Sequence, residues 1–269
     1  MKNGKLVLLF AALFVFTNVN AQLLKKLKKR AEEAAKEAVS RKVEQKTERE
    51  TEKAFDTVFN NNGRLFKGKK AKVSAGYSFS HQYVMDIVSE KDTIEMTYYL
   101  TNNHEYMGSS FNTGKTEEFI TVMDLPNAAI HTFMDFGGQK SMTSFKIDLD
   151  ASNDVQTKAS QFDIVSTGQT KDILGYLCEE FQVTGPKISG KIWVTKDANI
   201  SFQKAFNVMK TKKMKRTKGI DQSWVSMVDG LALEMVMVDY SRKKPKPVKM
   251  ICKSISEQDF SLQTAEYQK

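Results

Sequence analysis

Side chains do chemistry only where they converge, and in this chain the reactive ones are scattered. The histidines His81, His104 and His131 fall in separate segments, with no i,i+2 or i,i+4 pairing. They do not form the convergent ligand set that a metal needs, and each reads as a strand-surface residue. The cysteines, Cys178 and Cys252, have no C-x-x-C spacing. Neither is placed at a helix start or beside a histidine motif, the settings that activate a thiol for nucleophilic attack. Carboxylates are abundant but form no acid/base pattern, and no glycine-rich phosphate loop occurs. We expect no enzyme, no metal and no cofactor. The informative side chains are apolar: 13 methionines and 17 phenylalanines. Met85, Met96, Met107, Met123, Met134, Met142, Met227, Met235, Met237 and Met250 fall mostly in strand-like stretches. On one face of a curved sheet they would line an adaptable apolar surface; the plainer alternative is that they fill the core.

The compartment follows from the N-terminus. Lys2 and Lys5, the apolar run Leu6–Phe16 and the small residues of Val19-Asn20-Ala21 read as a secretory signal over 1–21. The run is short of the ~20 residues that span a bilayer, so a retained anchor is the lesser reading. We expect an exported protein, periplasmic or outer-membrane associated, starting at Gln22. In that setting an even cysteine count suggests a Cys178–Cys252 disulfide; two separate buried thiols are the alternative.

These residues need a frame. The chain has 269 residues, 41% hydrophobic and 27% charged, which suits one core of ~200 residues plus a tail. In 22–62 apolar residues fall at helical spacing (Leu24, Leu27, Ala31, Ala34, Ala35, Ala38) among Lys, Arg and Glu, which predicts a long charged helix. It reads as a solvated stalk, as an arm for an envelope protein partner, or through its basic Leu23–Arg30 patch as a weak membrane-surface contact. A basic linker covers 63–74. From 75 to 269 the period turns to two. Tyr77, Phe79, Tyr83, Met85 and Ile87 alternate with polar residues, and shorter β-rich runs follow to Ile147, broken by turn residues. Leu149–Ser160 reads as a surface loop, Phe162–Ser166 as a strand and Thr167-Gly168 as a turn. Lys171–Asp197 reads as a hairpin at the centre of the sheet. Ala198–Lys213 reads as a helix with Ile200, Phe202, Ala205, Phe206 and Met209 on one face. Gly230–Tyr240 and Val248–Ser256 read as the last strands.

The run Lys210–Lys218 carries six basic residues, Lys210, Lys212, Lys213, Lys215, Arg216 and Lys218. Nucleic acid is excluded as a partner because an exported protein seldom meets it and no aromatic is interleaved. A solvated segment is the plain reading, and contact with anionic lipid is the alternative.

Two blocks carry a resemblance. Asp172-Ile173-Leu174-Gly175-Tyr176-Leu177-Cys178 and Ile192-Trp193-Val194-Thr195-Lys196-Asp197, with Gly175, Tyr176, Cys178 and Trp193 as their marks, resemble the bacterial envelope family called domain of unknown function 4412. Gly230–Leu233 and Asp259–Leu262 are similar to its later blocks. The resemblance covers roughly Ala75–Leu262 and implies a mainly β (α+β) fold like that of lipoprotein carriers. Such a fold is a curved antiparallel half-barrel whose concave apolar face is plugged by one or two helices, here Ala198–Lys213 and Asp221–Val228. It implies an acyl chain or other lipophilic ligand in that concavity, and no residue roles.

Overall fold

The computed structural model describes residues 71–88, 93–111, 118–136, 138–147, 149–151, 162–207, 212–214, 227–240, 245 and 247–267. The expected signal (1–21) and charged helix (22–62) lie outside the described residues. Thirteen strands follow one another: β1 (Gly76–Val88), β2 (Thr93–Leu100), β3 (Tyr106–Phe111), β4 (Glu118–Asp124), β5 (Ala129–Phe136), β6 (Gln139–Lys146), β7 (Leu149–Ala151), β8 (Asp163–Ile173), β9 (Tyr176–Gly185), β10 (Ile188–Thr195), β11 (Lys212–Met214), β12 (Leu231–Asp239) and β13 (Pro247–Gln263). The protein is mainly β, as expected. Eleven strands form one open sheet in the order β6-β5-β4-β3-β2-β1-β13-β12-β10-β9-β8, and β7 pairs with β11 in a small second sheet.

The order shows how the chain builds this sheet. From β1 it meanders outward to one edge, β6. It then crosses to the opposite edge, β8, and meanders back to β13, which lies antiparallel against β1 from Gly76↔Gln263 to Val88↔Lys249. The centre of the sheet is therefore β1·β13, the first and last long strands. The hairpin β9–β10, expected at the centre, lies beside an edge. Its two strong turns are local, and nothing local specifies which distant strands flank it.

Strand β1 serves both faces. Tyr77 and Phe79 belong to one apolar cluster, while Tyr83, Met85 and Ile87, all at odd positions too, belong to another. A register shift between Phe79 and His81 separates the two sets. The irregularity re-aims the strand, as bulges do. The larger cluster draws on β1–β5, β9, β10, β12 and β13. The smaller joins Tyr77, Phe79, Ile120, Val122, Phe133 and Leu262, with Phe260 stacked 4.6 Å from Tyr99.

Turn chemistry explains the hairpins. Leu174 (φ 57°) and Gly175 (φ 80°) join β8 to β9, with Ile173 paired to Tyr176. Two positive φ angles make a type I′ turn, whose handedness matches the strand twist. Three expectations are corrected. Thr167-Gly168 is no turn: β8 runs through it, with a register shift between Ser166 and Thr170 and Gly168 at φ 74°, so the glycine serves a bulge inside a strand. Leu149–Ala151 is no loop but pairs with β11. The last strands are longer than their apolar runs suggest, because β13 continues over 17 residues to Gln263.

Gly190 is a close approach. A Cβ there would lie 2.2 Å from the Val236 carbonyl oxygen and 2.5 Å from Met237 Sδ, on the strand that β10 pairs with. Gly190→Ala should lower stability by about 2 kcal/mol through overpacking, read as a shift in the midpoint of urea unfolding at unchanged slope.

Candidate functional site

The larger cluster lies on one face of the open sheet, called here the inner face. Met85, Met96, Met107, Met123, Met235, Met237 and Met250 are all buried in it, so seven of the thirteen methionines fill this core, the plainer of the two expectations, while Met134 is buried outside it, Met142 packs on the smaller cluster and Met227 is exposed. Leu231, Leu233, Met235 and Met237 alternate along β12 onto the inner face, each fully buried, as a period-two strand requires. This part of the pattern was legible from spacing alone.

What covers the face is the segment between β10 and β11. Ala198, Ile200, Phe202, Ala205 and Phe206 are buried in the same cluster. Phe202 meets Tyr83 and Tyr98 edge-on, with ring centres 5.3 and 5.4 Å away and planes at 81° and 88°. The expected helix over Ala198–Lys213 is corrected here. The described part, through Asn207, is a series of turns with one α-type bond, Phe206 N to Phe202 O at 3.3 Å, and two tighter i→i+3 bonds, Phe206 N to Gln203 O and Asn207 N to Lys204 O, both at 3.2 Å. Asn199 at φ 51° blocks helical continuation upstream. Lys212–Met214 pairs as a strand downstream, so a helix cannot run to Lys213. Residues 221–226 of the second expected plug lie outside the described residues; Val228 beyond them is buried in the cluster.

The plug is clasped from one side. Asn102 Nδ2 donates to the Asn199 carbonyl at 2.5 Å, Asn207 Nδ2 donates to Glu105 Oε1 at 2.7 Å, and Lys204 donates to the Asn102 carbonyl. Both clasp residues, Asn102 and Glu105, sit in the turn between β2 and β3. Beneath the plug the two tyrosines differ. Tyr83 donates to the Ala232 carbonyl at 2.8 Å, whereas the buried Tyr98 hydroxyl has no hydrogen-bond partner among the described residues. Burial keeps both phenols protonated far beyond their ordinary range. An unpaired buried hydroxyl costs about 1–3 kcal/mol, so the inner face holds one polar atom whose bonding capacity is unused.

Of the two readings for the cysteines, the structure carries separate buried thiols: Cys178 and Cys252 are free. They lie on β9 and β13, three strand intervals apart in the sheet. Burial pushes the Cys178 thiol up to about 11 and the Cys252 thiol up to about 12, so both are protonated at neutral pH.

The other marked residues sit elsewhere. Gly175 forms the β8–β9 turn and Tyr176 starts β9. Trp193 lies under Lys171, whose Nζ is 4.2 Å from the ring centroid. That lysine also reaches Glu234 at 2.6 Å, and Lys249 adds a second contact at 3.1 Å. Burial would raise the Glu234 carboxyl, but the two lysines hold it below its ordinary value. Lys212 and Lys213 belong to the backbone pairing of β11, and Lys210, Lys215, Arg216 and Lys218 lie outside the described residues. Among the described residues no cluster of His, Cys, Asp and Glu could hold a metal ion.

His131 is not a strand-surface residue. It is fully buried on β5, with Nδ1 2.8 Å from Ser144 Oγ and Nε2 without a partner among the described residues. Its ring lies 5.6 Å from Tyr77, whose hydroxyl donates to Asp124 Oδ2 at 3.0 Å. Asp124 also accepts from the backbone N–H of Asn127 at 3.2 Å and from its side-chain amide at 2.8 Å. Sequence reasoning missed this group, although Asp124-Leu125-Pro126-Asn127 has the form of an Asx-type turn. Burial lowers the His131 pKa below its ordinary value, against the pull of Asp124. As pH falls through about 6.5 the unfolded chain takes up a proton that the folded chain refuses, so stability drops until the folded pKa is passed. His131→Gln should therefore show a smaller fall in melting temperature between pH 7 and pH 5 than the parent chain.

The family model described as Domain of unknown function (DUF4412) matches residues 79–263, from within β1 to the end of β13. The chain belongs to this family. No curated protein matches its sequence. Among solved structures, the DUF4412 chain is similar to PNGF-II (12% identity, TM-score 0.36, covering 70% of this chain and 29% of that one). It is also similar to the MucA/MucB complex of Pseudomonas aeruginosa (11%, 0.36, 66% and 51%). A third is an uncharacterized conserved protein from Thermus thermophilus (10%, 0.36, 71% and 85%). The match spans about a third to a half of the length of the first two.

Proposed function

We propose that this DUF4412 domain is an exported, non-catalytic binding protein of the cell envelope. It takes an acyl chain or similar lipophilic ligand on the inner face, in the place of the Ala198–Asn207 plug. The observation that carries this reading is the plug itself. A short, nearly helix-free segment fills a methionine-rich surface through Phe202, and it is tied by polar bonds to a single turn. Methionine side chains adapt to occupants of different shape.

Magnitudes favour the exchange. Burying Ile200, Phe202 and Phe206 is worth roughly 5–9 kcal/mol in total, and a palmitoyl chain gains roughly 12 kcal/mol at ~0.8 kcal/mol per methylene. The difference is available to meet the cost of ordering the ligand. A carboxyl or ester oxygen on the ligand would supply the acceptor that Tyr98 lacks.

The test is mass spectrometry of organic extracts from protein purified out of a periplasm without detergent, paired with titration of a fluorescent fatty acid. A stoichiometric lipid or saturable uptake supports the reading. Clean protein that also ignores the fatty acid rejects it.

A further inference from the structure

Several large apolar side chains at one end of the sheet are exposed. Leu174 is 50% exposed, Leu177 62% and Met227 40%. The strand directions place them at the same end: β8 ends and β9 begins around Leu174, β10 ends at Thr195, and β12 starts at Leu231, shortly after Met227. The plug leaves β10 at this same end, and its clasp, the β2–β3 turn, sits there too.

Leu174 is also held at a cost. The first position of a type I′ turn favours Asn, Asp or Gly, and Leu174 occupies it at φ 57°. A non-glycine residue in that region costs on the order of 1 kcal/mol. A buried leucine recovers such a cost through packing, but a half-exposed one recovers little in the folded chain. An apolar medium outside the protein would return it. The nearby charges, Lys171 and Lys196 against Asp172, Asp197 and Asp229, are nearly balanced, which does not suit a strongly charged partner. An exposed hairpin tip with two large aliphatic side chains fits a soft apolar layer better than a rigid groove.

We infer that the Leu174–Leu177 hairpin tip, with Met227 beside it, docks the plugged end of the sheet on the surface of an uncharged lipid bilayer. This rests on the proposed ligand. An acyl chain leaving a bilayer for water loses ~0.8 kcal/mol per methylene, and a plug that opens against the bilayer avoids that passage. The contact is apolar, so it differs from attraction of a basic run to anionic lipid.

The experiment is co-flotation of the chain beginning at Gln22 with phosphatidylcholine vesicles, comparing the parent with a Leu174→Asn, Leu177→Thr double variant. Asparagine suits the turn and threonine suits a strand, so the variant should fold at least as well, which circular dichroism and melting verify. The parent should co-float at low salt and at about 0.5 M salt, where charge attraction is screened. The variant should partition roughly tenfold more weakly. Equal flotation of the two overturns the inference, as does a parent that ignores vesicles. Uptake of fluorescent fatty acid from solution, measured in parallel, separates the two ideas. Uptake without flotation leaves the ligand reading standing and removes this one; neither uptake nor flotation removes both.

Discussion

Phe202→Ala should lower the stability of the chain by about 3–5 kcal/mol, the range for truncating a buried phenylalanine. In the same variant, uptake of a lipophilic dye should rise. The side chain is 4% exposed and wedges edge-on between Tyr83 and Tyr98, so its removal forfeits burial and two aromatic contacts worth about 0.5–1.5 kcal/mol each. It also leaves a space that the short plug cannot refill, because Asn102 and Glu105 hold the segment at both ends. Urea unfolding measures the first effect. Dye fluorescence, read where near-ultraviolet circular dichroism shows the chain still folded, measures the second. A loss of stability with no gain in dye binding would mean the inner face closes on itself, and the plug would then be ordinary core.

Asp124→Ala should cost about 3 kcal/mol. The carboxylate is 2% exposed and receives three hydrogen bonds, from Tyr77 and twice from Asn127. Its loss strands buried donors, each costing about 1–3 kcal/mol when unsatisfied. Asp124→Asn keeps an acceptor and should cost clearly less. The order of the two melting temperatures checks the account, and equal losses would place the effect in side-chain volume rather than hydrogen bonding.

Local patterns made much of the fold legible. The alternation of Tyr83, Met85 and Ile87 marked β1, and that of Leu231, Leu233, Met235 and Met237 marked β12, because a strand with one buried face writes its period into the sequence. The burial of the methionines on these strands was readable for the same reason, and they fill the core. Other features were not local. The Phe79/His81 irregularity, the passage of β8 through Gly168 and the pairing of Leu149–Ala151 with Lys212–Met214 depend on partners far along the chain. The helical spacing of Phe202 and Phe206 was real, yet it describes one turn dipping into the core rather than a helix. His131 was taken for a surface residue because a lone histidine carries no signal of its burial.

The pairing of β1 with β13 bears on timing. The centre of the sheet joins Gly76 to Gln263 and His81 to Glu257, so the innermost strand has one of its two neighbours only when nearly the whole chain is present. Most of the loop-closure entropy must be met before that pairing returns anything, which makes folding slow and late. Until then β1 and β12 each present an open edge to other chains. A chain with this wiring gains from being kept unfolded until synthesis ends, and it tolerates truncation at its far terminus least of all.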